Sequence, residues 1–378
     1  MPSPQVSLDS LTAAPVSRVT AKRMYATFAL MSSAYNNSPL PYYYGLILPA
    51  SAFVGLELGG YWTLLTAAIA FAVLPIADTL RGVDNDSPAP TEISDLESRW
   101  SYRIVLYVVV LVQTVLLARA CWVWSQAHQQ VWEYAFQVLG IGIVTGGLGI
   151  TVAHELGHRN VWWERLLGYV LLVEVWYAHF VAEHTAGHHK NVGRREDPAT
   201  ARLGESAYAF VVRSVVQSWL HVWKMEAARL RGKGRTPYGL GNRMWLWWLI
   251  SPTLAALIGM IGGWHVALLL VLQGVVAFIL LELVNYVEHY GLERKEIKPG
   301  IAERFAPKHA WESRYVVSNF VLFKLQRHAD HHLLPQRQYQ SLRVHDESPQ
   351  LPHGYPAMLL LSLVPSLWRS VIHGRIHR

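Results

Sequence analysis

The sequence predicts an all-α membrane protein, six transmembrane helices with a cytosolic histidine-rich cap holding a dinuclear metal site. Three observations predict it. Of 378 residues, 52% are hydrophobic and only 16% charged, with 16 Trp, more apolar surface than a soluble domain carries. Six stretches are long and apolar enough to cross hydrocarbon about 30 Å thick, which takes about 20 residues. The histidines, 18 in number, gather at a few places instead of scattering.

In chain order, residues 1–40 read as a polar, Pro- and Ser-bearing cytosolic tail without the basic start and apolar stretch of a signal peptide. The six-span membrane domain occupies residues 41–290, with spans expected at 42–58, 61–80, 102–124, 131–153, 244–261 and 264–287. Tight Gly-Gly links at 59–60 and 262–263 make hairpins of them, so both termini lie on one side. Of 33 Lys and Arg, only Arg119 falls near the opposite side, which places the termini, the insertion 154–243 and the segment 291–378 in the cytosol. Gly140, Gly142, Gly146, Gly147 and Gly149 on the fourth span permit close helix packing. The single Cys121 excludes an internal disulfide and any cysteine-based zinc or iron–sulfur site.

The histidine clusters all fall on the cytosolic side of this map. HELGH (154–158) brings His154 and His158, EHTAGHH brings His184, His188 and His189, NYVEHYG brings His289, and LQRHADHH brings His328, His331 and His332. On a helix, residues three and four apart share a face, so His154 and His158, His184 and His188, and His328, His331 and His332 can each address a common centre. HELGH alone matches the H-E-x-x-H zinc-peptidase pattern. A catalytic zinc takes three protein ligands, however, and would leave most of these histidines unused. Nine nitrogens suit two metals, and imidazole accommodates iron, copper, zinc or nickel. Glu155, Glu183, Glu288 and Asp330 each adjoin a candidate ligand, and a ligating imidazole normally passes its other N–H to an acceptor that fixes its tautomer. Asp78 and His179 are weaker candidates for the same service. A metal transporter is disfavoured, because its site is expected at mid-membrane among polar groups.

In order and spacing, HELGHR, EHTAGHHKNV, NYVEHYGL and LQRHADHH resemble the four histidine motifs of the integral-membrane alkane 1-monooxygenases. DPAT (197–200) and YQSL (339–342) also look like that family. The resemblance implies a non-haem diiron centre held by all nine histidines, with two Fe ions and O2 as co-substrate, in the bacterial inner membrane. It implies terminal hydroxylation of medium-to-long-chain n-alkanes to 1-alkanols. Membrane fatty-acyl desaturases and sterol oxidases are wider relatives, but their second motif is usually H-x-x-H-H where this chain has H-x-x-x-H-H. In the resembling family a bulky residue in the second span closes the far end of the substrate channel; the matching position here is Ala70.

An alkane offers no polar handle, so its recognition rests on burial, about 0.8 kcal/mol per CH2. Electrons must come from outside, since the chain has no Rossmann glycine motif, haem attachment motif or C-x-x-C pair. The resemblance names rubredoxin as donor, reduced through a flavoprotein reductase. The basic residues Lys190, Arg194, Arg195, Arg229, Arg231, Lys233, Arg235, Arg327 and Arg337 are expected to steer such an acidic partner. Membrane lipid is the other expected partner, and nothing points to nucleic acid.

Overall fold

The computed structural model describes residues 38–126 and 129–376. The expected tail lies almost wholly outside the described residues, as do His128 and His377. Among the described residues, five helices are long and apolar enough to cross a membrane: Gly60–Arg81, Trp100–Ser125, Val131–Gly157, Met244–Gly262 and Trp264–His289. They correspond to the second to sixth expected spans. The first expected span is also helical, a 3-10 turn over Leu40–Leu46 running into an α-helix over Ile47–Leu58, but it is not among those five. Three tyrosines, two prolines and Glu57 dilute its hydropathy. It forms a hairpin with Gly60–Arg81 through Gly59 and Gly60, both at positive φ (60° and 53°), where a side chain would be strained.

Val131–Gly157 is the axial helix, with 78% of its apolar window buried. Its glycines explain how it fits there. A Cβ on Gly146 would stand 2.7 Å from the Ala277 backbone, and one on Gly142 would stand 2.5 Å from Val276. Helix Trp264–His289 therefore approaches at backbone distance, as small-residue packing in membranes allows. By contrast, only 17% of the window in Met244–Gly262 is buried, and Leu254, Leu257 and Ile261 point outward, as a lipid-facing helix requires.

Two long helices, Trp162–Glu174 and Ala207–Arg231, lie outside the sequence map. Helix Trp162–Glu174 packs along Val131–Gly157 and Trp100–Ser125. Its last residue accepts from Gln113 Nε2 (2.7 Å) and Thr114 Oγ1 (2.8 Å), both mid-way along Trp100–Ser125. A carboxylate thus reaches the middle of spans that carry few of their own.

Three π-helical turns interrupt the helices, at Ile69–Val73, Val144–Gly149 and Glu183–His188. Residues 291–376 pack into the same body rather than standing apart. Helix Val316–Val321 rests on Leu40–Leu46 and Leu74–Arg81, and Tyr355–Ser362 rests on Trp264–His289. Asp78 contributes to this closure by accepting from the Ser318 N–H at 2.8 Å. A two-stranded hairpin, Glu296–Lys298 with Ile301–Ala302, pairs antiparallel with Glu296 opposite Ala302.

Candidate metal centre

Nine imidazoles converge in two groups. His154, His158, His184, His189 and His331 form one; His188, His289, His328 and His332 form the other, and within each group the facing nitrogens lie within 4.8 Å of one another. In the first group, His331 Nε2 is 3.0 Å from His154 Nε2, 3.3 Å from His184 Nε2 and 3.0 Å from His189 Nε2. In the second, His328 Nε2 is 3.1 Å from His289 Nε2 and 2.9 Å from His332 Nε2.

These spacings fit a metal in each group. Nitrogens bound at about 2.0–2.1 Å to one ion stand about 3.0–3.4 Å apart, whereas a ring of neutral imidazoles facing nitrogen to nitrogen cannot satisfy itself with protons alone. His158 Nε2 and His188 Nε2 are buried without a hydrogen-bond partner. Burial, reinforced by neighbouring imidazoles, holds His184, His189, His328, His331 and His332 well below the ordinary histidine pKa. Burial alone lowers His158 to about 4. Neutral imidazoles are the form that ligates.

The motifs do not map one to one onto the groups, and backbone geometry gives the reason. Within His328–Leu333, His328 and His332 are four apart and share a face, while His331 turns to the other group. Sharing a face predicts that His184 pairs with His188, yet the structure pairs His184 with His189. Glu183–His188 is π-helical, so its backbone contacts reach five residues instead of four. H-x-x-x-H-H in a π turn therefore presents its imidazoles much as H-x-x-H-H does in an α turn.

The carboxylates divide differently from the sequence expectation. His328 Nδ1 lies 3.3 Å from Glu288 Oε1. Glu155 instead accepts from Arg159 (2.7 Å), and Glu183 accepts from His221 Nδ1 (2.9 Å). Asp330 holds Arg337 through both oxygens (2.8 and 2.7 Å) and His345 Nε2 at 2.7 Å. His221 and His345 are thus partners of buried acids. The acid that does orient an imidazole is Asp197, whose Oδ2 sits 2.9 Å from His188 Nδ1 and takes a further bond from Thr200 Oγ1 at 2.6 Å. Burial alone would raise the Asp197 carboxyl, but His188 and these hydrogen bonds hold it below the usual carboxylate value. Its position in the DPAT run, eight residues after His189, was the available signal.

Comparison with known proteins identifies this arrangement. The fatty acid desaturase family model matches residues 130–362, which include all four histidine motifs. The chain is 38% identical to alkane 1-monooxygenase 2 of Pseudomonas aeruginosa over 364 residues, covering 92% of this chain and 95% of that one. The chain belongs to the alkane 1-monooxygenase family. It is accordingly an oxidoreductase of the monooxygenase type, with metal-binding histidines and membrane-spanning helices. It is also 35% identical to alkane 1-monooxygenase 2 of Alcanivorax borkumensis, covering 87% of each chain. The xylene/toluene monooxygenase hydroxylase component XylM of Pseudomonas putida is 26% identical, covering 88% of this chain and 87% of that one.

In this alkane 1-monooxygenase relative, an apolar cavity ends on the metal centre. Its walls include Ala70, Phe71, Gly147, Leu280, Val284 and Leu325, and it reaches His154, His184 and His328. Ala70, in one π turn, and Gly147, in another, keep it open; a Cβ on Gly147 would meet nothing within 4 Å. Two residues expected on a basic docking face are not there. Arg327 is 1% exposed and bound to Asp84, and Arg337 is committed to Asp330. Each is held inward by its ion pair with that carboxylate. Lys190 and Arg195 remain exposed.

Proposed function

We propose that this chain hydroxylates the terminal methyl group of medium-to-long-chain n-alkanes to 1-alkanols, using O2 and two electrons. The reading is carried by one observation, a carbon-lined cavity that ends on two groups of histidines. The proposed ligands are His154, His158, His184, His189 and His331 for one iron and His188, His289, His328 and His332 for the other. Two bound irons would supply the oxidising chemistry, with one oxygen atom entering the C–H bond and the other leaving as water. The rest is work for the protein. Phe71, Leu280, Val284 and Leu325 bind the chain by burial, about 0.8 kcal/mol per CH2, and exclude water from the reacting carbon. A chain buried along this cavity presents its methyl end to the histidines, which lowers the entropic part of the barrier. Asp197 fixes the orientation of His188.

The site lies on the cytosolic side of the bacterial inner membrane, with the termini. Electrons come from reduced rubredoxin, itself served by a flavoprotein reductase, docking near Lys190, Arg194 and Arg195. Its rate therefore falls as ionic strength rises.

The test is purified protein in nanodiscs with dodecane or octane, O2 and reduced rubredoxin, with alcohols and bound metal measured on the same sample. 1-Alkanol with two irons per chain is expected. An alkene or an oxidised acyl lipid would favour instead a desaturase, the reading suggested by the family model over residues 130–362. Ala70→Trp should cut turnover of dodecane about tenfold or more while sparing octane, because a misplacement of about 1 Å at the reacting carbon costs up to ~100-fold. An unchanged chain-length profile would remove Ala70 from the channel.

A further inference from the structure

The apolar cavity is not alone in reaching the histidines. A second, smaller space has His184 and His188 in its wall, and most of its other side chains are polar, Tyr177, His179, Glu183, Ser218 and Glu282 among them, with Phe180 and Ala199 completing it. Asn285, Phe180 and His184 line both spaces, so they adjoin at the metal centre. Beyond it lies a wide groove that shares Tyr177 and His179 and is otherwise mostly apolar, with Trp219, Trp247 and Trp248 beside aliphatic residues such as Val215, Val216 and Leu249. The three are contiguous: carbon-lined, then polar, then tryptophan-lined.

The polar middle holds buried groups that nothing in the fold satisfies. Glu282, 2% exposed, receives Tyr177 Oη–H at 2.8 Å and Asn285 Nδ2–H at 3.2 Å. Glu183 Oε2 and His179 Nε2, however, are buried with no partner among the described residues. Burial keeps His179 neutral, with its pKa pushed down to about 4. Leaving such an atom unpaired costs about 1–3 kcal/mol, which a hydroxyl ligand would offset.

We infer that this passage is a binding and release site for the primary alcohol product, with His179 Nε2 hydrogen-bonding its hydroxyl. The inference rests on the proposed hydroxylation. That reaction turns a ligand without any hydrogen-bonding group into one that has a hydroxyl. Returning through the carbon-lined cavity would leave the hydroxyl unpaired at about 1–3 kcal/mol. The polar space adjoins the place where the oxygen is added and shares Tyr177 and His179 with a groove that carries tryptophans of the kind that seat at a membrane interface, where an amphiphile partitions. Substrate and product thus occupy chemically different routes that meet at Asn285.

The test uses two photoreactive probes without reductant, a 1-alkanol and an alkane that each carry a diazirine, on the full chain in nanodiscs. The alkanol is expected to label peptides containing Trp219 or Trp247, and the alkane peptides containing Leu280 or Phe71. His179→Phe keeps a ring against Tyr177 but removes the nitrogen, and should lower alkanol labelling about tenfold, the equivalent of one hydrogen bond, while leaving alkane labelling intact. Ser218→Trp obstructs the same space from helix Ala207–Arg231 and should do likewise. Alkanol label confined to the apolar cavity, or groove label indifferent to both variants, overturns the proposal. So does a groove labelled by a diazirine phospholipid and not by the alkanol. Because no turnover is needed, absent 1-alkanol formation with reductant counts against the proposed function and leaves this result separate.

Discussion

The five-histidine and four-histidine groups are built from the same ligand type, but their surroundings differ. All four members of the smaller group are buried, and its imidazoles have carboxylates beside them: Asp197 at His188 and Glu288 near His328. In the larger group His158 and His189 are only half-buried, and its rings pack on one another and on Phe180. A divalent ion among five neutral nitrogens keeps its whole charge. An ion beside the Asp197–His188 pair has part of that charge offset, because a carboxylate partner raises the basicity of its ligand. Two ions bound in these groups would therefore be held unequally, the one in the smaller group more firmly and the one in the larger group with more access from outside.

The largest test of that inequality uses adjacent residues. His331 faces the five-membered group and His332 the four-membered one. Replacing either by Ala should remove about half of the bound metal and depress hydroxylation by more than the ~100-fold ceiling typical of partners behind the ligands. The two variants should lose different ions, which iron spectroscopy on each would resolve. If both variants lose all metal alike, the groups act as one cooperative unit and the contrast fails.

Asp197→Asn should have a smaller and one-sided effect. Asparagine keeps the shape but not the charge that supports His188, so one metal equivalent should bind about 10–100-fold more weakly while the other is unchanged. Stepwise metal titration of the stripped protein reads this directly. Equal weakening of both equivalents would show that Asp197 acts on the fold rather than on one centre.

The sequence carries the parts of this architecture that depend on composition and short spacing. Apolar runs marked five helices that meet the length and hydropathy needed to span, and the turn at Gly59–Gly60 marked the first hairpin. The gathering of nine histidines was legible because each motif sits at a helix end or in a short helix beyond it. What remained hidden depends on three-dimensional register. The pairing of His184 with His189 needs a π turn, which no pattern of apolar residues announces. Asp197 follows its motif at a loop distance, so helical periodicity gives no reason to aim it at His188. Arg327 and Arg337 look like surface cations in sequence, and only the approach of Asp84 and Asp330 turns them inward. The re-entrant position of Glu174 is hidden for the same reason, since its partners Gln113 and Thr114 lie some sixty residues earlier.

The smallest expected effect tests the π turn itself. Thr185 and Ala186 are exposed, so deleting Ala186 removes no buried surface and changes EHTAGHH into EHTGHH. A five-residue reach in a π turn and a four-residue reach in an α turn bring the flanking side chains to similar directions. The deletion should relax Glu183–His188 to α geometry while His184 and the residue now numbered one lower than His189 still face the larger group. Metal content should then stay within about twofold of the parent, with the cost falling on turnover, because Glu183 and its bond to His221 shift relative to the centre. Loss of one or both metals on deletion would show that the extra residue is required to split the motif between the two groups.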